Sequence, residues 1–329
     1  MSAAGEKGEN NILKKSATTG SRLSGQPHRL PLRAYLKRNW VLYLFVIPAV
    51  VMVFLFNYLP LFGLQIAFRD YTPIGGFFGS KWVGMKHFTR FFNSPKFWPV
   101  ILNTLKTSVC TLVFTFPLPI VFAVFLNQVT NLRYKKLVQN ITYMPYFISM
   151  VVLIGMINIF LSPNSGLVNG LIRSFGGEPV AFLNDPDNFL PIYIISAIWQ
   201  NTGWSAIIYL AALTSVPPEL HEAAIMDGAS KMKRVLHIDI PYIMPTIVIQ
   251  LILMVGNVMN VGFEKIFLMQ NPLNLEVTEV ISTYVYKMGI VNYQYSFSTA
   301  VNLFNSIINL ILLLSVNKIC SKVSDTSLF

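Results

Sequence analysis

Three polar sets interrupt otherwise apolar sequence, and they are the first residues of this chain with chemistry to offer. Asn257, Asn260 and Glu264 stand at i, i+3 and i+7, and Asn302, Asn305 and Asn309 repeat that spacing. On a continuous helix each set lines one face. The third set, Trp199, Gln200, Asn201, Thr202 and Trp204, sits inside another apolar run. Amide side chains donate and accept at once, so they suit sugar hydroxyls, and an indole can stack on a sugar ring. The candidate solute contacts are Trp199, Asn201, Trp204, Asn257, Asn260, Glu264, Asn302 and Asn305, with Glu264 at the outer mouth. The competing use is structural: amides bond helix to helix, and Trp sits in the interfacial belt of a membrane.

Catalytic patterns are missing. The phosphate-cradling G-x-x-x-x-G-K-[ST] sequence does not occur, and the nearest Gly-rich piece, Gly75 to Lys81, has the wrong spacing. ATP hydrolysis by this chain is therefore not expected. His28, His87, His221 and His237 form no H-E-x-x-H pair, and no G-x-S-x-G elbow exists. Cys110 and Cys320 stand far apart in apolar or terminal sequence, which argues for neither a disulfide framework nor a metal site. No metal ligands and no bound cofactor are expected.

The elements that must position the polar sets are membrane spans. Of 329 residues, 53% are apolar and 12% charged, about half the charged share of a soluble domain. The mean hydropathy of +0.54 agrees. Six stretches are long enough to cross a bilayer, near Trp40 to Leu59, Thr104 to Leu126, Ile141 to Leu161, Phe189 to Leu213, Tyr242 to Gly262 and Ser296 to Val316. Lys106, near one end of the second, is expected to snorkel. The fold class is all-α and polytopic, with six transmembrane helices over residues 40–317.

An even number of spans puts both termini on one side. Lys and Arg number eight in the N-terminal segment, three after the second span, three after the fourth and two in the C-terminal tail. The opposite loops carry five, one and two. The positive-inside rule places both termini in the cytoplasm of a plasma membrane. The net charge of +11 follows from that topology and from contact with anionic lipid, without nucleic acid. Residues 1–39 read as a basic, disordered leader, with Arg29 to Asn39 able to lie on the membrane surface. Residues 318–329 read as a cytoplasmic tail. The outer loops Gly63 to Trp98, Ser162 to Asn188 and Phe263 to Tyr295 are too long for hairpins. They are expected to carry short strands and helices, including a helix from Gly166 to Phe175.

The most specific segment lies between the fourth and fifth spans, Ser215 to Pro245, reading SVPPELHEAAIMDGASKMKRVLHIDIPYIMP. Ser215 is expected to cap a helix whose first turn holds Pro217 and Pro218. Glu219 and Glu222 sit near its positive end. Leu220, Ala223 and Ala224 share a small apolar face that a partner can approach closely. Gly228 stops or bends the helix, and Lys231 to His237 form a second, basic turn. The whole resembles the signature loop of permease subunits of binding-protein-dependent ABC importers. Glu222, Ala223, Ala224, Gly228, Ile238 and Pro241 fill that pattern, and Asp227 and Ala229 flank the glycine. Weaker likeness, to the polysaccharide and lipoprotein branch of the sugar importers, lies in Asn57 to Tyr71, Trp82 to Phe92 and Asn103 to Ser108.

The resemblance implies a type I importer permease with a cytoplasmic coupling helix. It implies that Glu222, Ala223, Ala224, Asp227, Gly228 and Ala229 dock on an ATPase subunit, which binds ATP and Mg. It further implies a second permease subunit, an ATPase dimer, an extracellular solute-binding protein and a bacterial plasma membrane. Relatives carry oligosaccharides, including acidic plant or algal fragments. A peptide or amino acid as solute, or a scaffold or membrane enzyme that transports nothing, are the alternatives.

Overall fold

The computed structural model describes residues 38–323. Most of the leader expected over residues 1–39, and the tail beyond Val323, lie outside the described residues. The chain divides into two compact units, Met1–Phe62 and Gly63–Phe329.

In the first unit the chain enters helix α1, which runs Trp40–Phe68. It is α-helical over Trp40–Val53, π-helical over Phe54–Tyr58 and 3-10 over Leu59–Phe68. No residue of Trp40–Val53 is buried. A helix apolar on every side satisfies its own backbone and suits lipid as solvent.

The second unit opens with a two-stranded antiparallel hairpin, β1 (Arg69–Asp70) and β2 (Lys81–Trp82), pairing Arg69 with Trp82. Helix α2 (Lys86–Phe92) follows, then α3 (Phe97–Asn127). The third expected span is two pieces. Helix α4 (Leu132–Tyr143) ends in a 3-10 turn at Met144–Phe147, and α5 (Met150–Phe160) leaves it at 97°. Pro145 ends the regular hydrogen bonding, Ile148 is extended, and the Ser149 hydroxyl accepts the Val152 N–H to restart the helix. Helix α6 (Leu167–Ser174) starts at a Gly166 cap, within the expected Gly166 to Phe175.

Helix α7 (Pro186–Thr214) is the packing axis, in contact with α3, α4 and the later helix α9. Its 29 residues are long enough to cross a bilayer, yet its central Gln200, Asn201 and Thr202 keep it below the apolar threshold that α1, α3, α9 and α12 pass. Among the described residues four helices therefore qualify as spans by length and composition, or five if the bent α4–α5 pair counts as one. Gly203 lets α7 approach α4, because a Cβ there would run into the Thr142 carbonyl.

Helix α8 (Pro218–Met226) is short, and α9 (Lys231–Gly256) is long. Helix α9 contains a π turn at Val235–Asp239. It begins eleven residues earlier and ends six earlier than the expected span Tyr242 to Gly262. Helices α10 (Phe263–Met269), α11 (Ile281–Tyr286) and α12 (Tyr295–Val323) complete the chain. The core has separate centres. Ala123, Ala206, Leu213 and Ile243 join α3, α7 and α9. Phe91, Val100, Met259 and Val301 join α2, α3 and α12.

The long loops are built with side-chain amides. The Asn169 amide nitrogen donates to the carbonyls of Leu161, Ser162 and Val180, and its oxygen accepts the Val180 N–H at 2.7 Å. Asn274 donates to Leu183 and Met269 carbonyls. Glu279, nearly buried, pairs with Lys96 at 2.9 Å and Lys287 at 3.5 Å. Such clamps replace the backbone pairing that loops lack.

Candidate functional site

A cavity of about 1060 Å³ opens between α3, α7 and α9. Ser108 and Thr111 come from α3, Gln200, Asn201 and Trp204 from α7, and Gln250 and Asn257 from α9. Asn260, beyond the end of α9, and Lys265, on α10, close one end. The Trp204 indole stacks on Tyr146 with centroids 4.5 Å apart and planes at 4°. Phe147 meets the same indole edge-on at 5.5 Å. The Gln200 amide donates to the Ile148 carbonyl at 3.0 Å, satisfying the group freed by the bend between α4 and α5.

Part of the predicted path therefore converges. Asn201, Trp204, Asn257 and Asn260 line the cavity. Trp199, Glu264, Asn302 and Asn305 do not. The stripe Asn257, Asn260, Glu264 required one helix, but α9 stops at Gly256 and Asn257 is its cap. The chain turns and restarts at Phe263. That new helix leaves Glu264 exposed and buries its neighbour Lys265, which is 3% exposed. On α12, Asn305 donates to the Asn260 side-chain oxygen at 2.9 Å, and Asn309 accepts the Met259 N–H at 3.0 Å. Those two amides fasten α12 to the turn after α9, while Asn302 is exposed.

The second candidate site is α8. Its expected cap, Ser215, instead ends α7, and its carbonyl accepts the Tyr242 hydroxyl at 2.9 Å. The helix begins later because Pro218 forces the preceding Pro217 into extended backbone, with ψ 127°. None of Pro218–Met226 is buried. Glu222, Ala223 and Asp227 are exposed, Ala224 and Ala229 half-buried. Leu220, Ile225 and Met226 also face outward, Met226 with 87% of its surface free. Gly228 stops the helix with φ +75°. Its N–H bonds the Ile225 carbonyl at 2.9 Å, and the Ala229 N–H bonds the Ala224 carbonyl at 2.8 Å. That pair of bonds is a Schellman stop, which needs a left-handed residue and so favours Gly. Ser230 then caps α9 by accepting the Lys233 N–H.

One contact ties α8 to the bundle. Asp239, fully buried in the π turn of α9, accepts the Gln128 Nε2 N–H at 3.0 Å on one oxygen and has His221 Nε2 at ion-pair distance, 3.1 Å, from the other. The helix is thus exposed along its length and tied to α9 through His221. Residues 116–324, from mid-α3 onward, match the family of binding-protein-dependent transport system inner membrane components.

The chain belongs to that family.

Two relatives in Bacillus subtilis (strain 168) resemble this permease over nearly their whole length. Protein LplB is 43% identical over 296 residues, 90% of this chain and 93% of that protein. The polygalacturonan/rhamnogalacturonan transport system permease protein YteP is 43% identical over 288 residues, 88% of this chain and 90% of that protein. Among solved structures, a bacterial ABC transporter involved in import of the acidic polysaccharide alginate contains a chain 39% identical, with TM-score 0.82. The match covers 89% of this permease and 99% of that chain. The same transporter type, solved with an alginate pentasaccharide-bound periplasmic protein, matches equally well.

Sequence reasoning did not single out Lys265, which lines the cavity, or Gln128 and Asp239, which meet beside His221. Asp239 carried a signal: it is an acid between apolar residues at the start of a span. Lys265 carried only the loss of helical register after Gly256.

Proposed function

We propose that this chain is one permease subunit of an ATP-driven importer of oligosaccharides, acidic fragments among them. The observation that carries the reading is the exposed helix Pro218–Met226, closed by Gly228 and anchored through His221, beside an amide- and indole-lined cavity. The helix docks on an ATPase subunit, with Glu222, Ala223, Ala224, Asp227, Gly228 and Ala229 forming the contact. ATP and Mg bind to that ATPase dimer. A second permease completes the membrane passage, and a solute-binding protein on the outer face delivers the oligosaccharide. Both termini and α8 face the cytoplasm, as the distribution of Lys and Arg requires.

Hydroxyl-rich solutes fit the cavity chemically. Asn201, Asn257, Asn260 and Gln250 offer donors and acceptors together, and the Trp204–Tyr146 stack offers an aromatic face. The relatives named for polygalacturonan, rhamnogalacturonan and alginate transport support the same solute class. The test is gentle solubilisation of the tagged chain and mass identification of what co-purifies. An ATPase, a second permease and a binding protein that holds oligosaccharide are expected. A chain that purifies alone, or with a binding protein for peptides, refutes the reading.

A further inference from the structure

Lys265 is the single Lys or Arg among the residues that line the cavity, and no Asp or Glu lines it. The residue is 3% exposed. Its ammonium donates to the Tyr193 carbonyl at 2.8 Å and stands 4.6 Å from the centroid of the Tyr193 ring. Among the described residues no carboxylate pairs with it. An ammonium has three N–H donors, so one backbone bond leaves two to be met. A buried cation with no counter-ion is costly and, inside a membrane protein, marks a pathway or ligand position.

The placement is rigid. Helix α10 is fixed from behind by Ile266 and Met269, which pack against Ile154, Phe189 and Val280. The bond to α7 aims the ammonium before any solute arrives. Asn260 and Asn257 line the same cavity, with amides for hydroxyl groups.

We propose that Lys265 receives a sugar-borne carboxylate, so that the cavity itself favours oligouronates over neutral oligosaccharides. This rests on the oligosaccharide-import reading above. The carboxylate supplies the missing counter-charge and accepts the free N–H donors, while neighbouring amides hold the ring hydroxyls. Selection by charge is thereby made twice along the route, once by the binding protein and again by the permease.

The test uses the whole importer in liposomes, with ATP inside and saturated binding protein outside. Uptake of an oligogalacturonate is compared with uptake of its methyl ester, which keeps the shape and loses the charge. The acid should enter faster than the ester by at least about tenfold, the weight of a charge-assisted hydrogen bond. Lys265→Met should bring the ratio near one by slowing the acid, and Lys265→Arg should preserve it. Lys265→Cys should recover the preference after reaction with an aminoethyl thiosulfonate but not with a neutral methyl reagent, which separates charge from folding. An acid-to-ester ratio unchanged in Lys265→Met overturns the assignment, as does equal uptake of acid and ester by the unaltered importer. Uptake of neither sugar by an importer that still carries another solute class removes the oligosaccharide reading and this proposal with it.

Discussion

The imidazole Nε2 of His221 lies 3.1 Å from Oδ1 of Asp239, joining the exposed helix α8 to a carboxylate with no surface of its own. Gln128, at the end of α3, holds the second oxygen. One acid therefore connects α8 with α9 and α3. Removing one partner of such a group leaves buried polar atoms unmet, at a cost of about 1–3 kcal/mol. His221→Ala should insert and assemble, yet lower the stimulation of ATPase activity by loaded binding protein by about tenfold. Asp239→Ala should also lower the melting temperature in detergent, because Gln128 loses its partner too. Full stimulation in both variants would show that force travels elsewhere.

Gly228 is open to a different test. Nothing lies within 4 Å of a Cβ built there, so substitution has only a conformational cost. A left-handed L-residue costs about 1–2 kcal/mol, less for Asn. Gly228→Val should weaken ATPase association measurably, Gly228→Asn much less. Equal loss in both would point to a steric demand from the partner.

Glu222 is exposed and has no described partner in its own chain. Glu222→Lys should leave yield and melting temperature unchanged while recovery of the ATPase on co-purification falls at least about tenfold, as charge reversal in an interface does. Normal recovery and normal uptake would remove the residue from the docking contact.

Gly203 should tolerate nothing larger. A Cβ at this position meets the carbonyl oxygen and carbon of Thr142, which are backbone and cannot step aside. Gly203→Ala should cost about 1–3 kcal/mol, the range for overpacking, read as a lower melting temperature. An unchanged melting point would mean that α4 and α7 separate without penalty.

On the loop side, the Lys86 ammonium donates to Asp70 at 2.7 Å and holds its carboxyl below the usual carboxylate range. A depressed carboxylate pKa adds stability above the unfolded pKa of about 4 and loses it as pH falls through the folded value. Both side chains are well exposed, 59% and 39%, so the effect is small, under about 1 kcal/mol. Lys86→Met should raise the Asp70 pKa, measured by NMR titration, and barely change stability at neutral pH.

The helix and stop between Pro218 and Gly228 were legible because their signals are local. Proline, alanine and glycine each act on the backbone within a turn, and the stop at Gly228 follows from sequence spacing alone. The start was misread at Ser215, since two adjacent prolines push the helix onset past the serine. Apolar run length located α1, α3, α9 and α12, but not the 97° bend at Ile148, which depends on a Gln200 amide from another helix to satisfy its carbonyl. The polar stripes were half legible. Periodicity assumes an unbroken helix, and α9 ends at Gly256, so the face assigned to Glu264 belongs to Lys265. Nor does spacing distinguish an amide that lines a cavity, Asn257, from one that bolts two helices together, Asn309.

The π turn at Val235–Asp239 gives α9 two phases. One residue more than an α-helical turn rotates everything beyond it by about 100°, the angle one residue subtends. The segment before the turn keeps its own facing, with Met232 outward. The segment after it is clocked independently, with Ile243 and Ile252 inward. Without that offset a single rotation would have to suit two neighbours at once. With it, the exposed face before the turn and the packed face after it can drift apart in sequence, each answering to its own neighbours, while Asp239 stays in the turn between them.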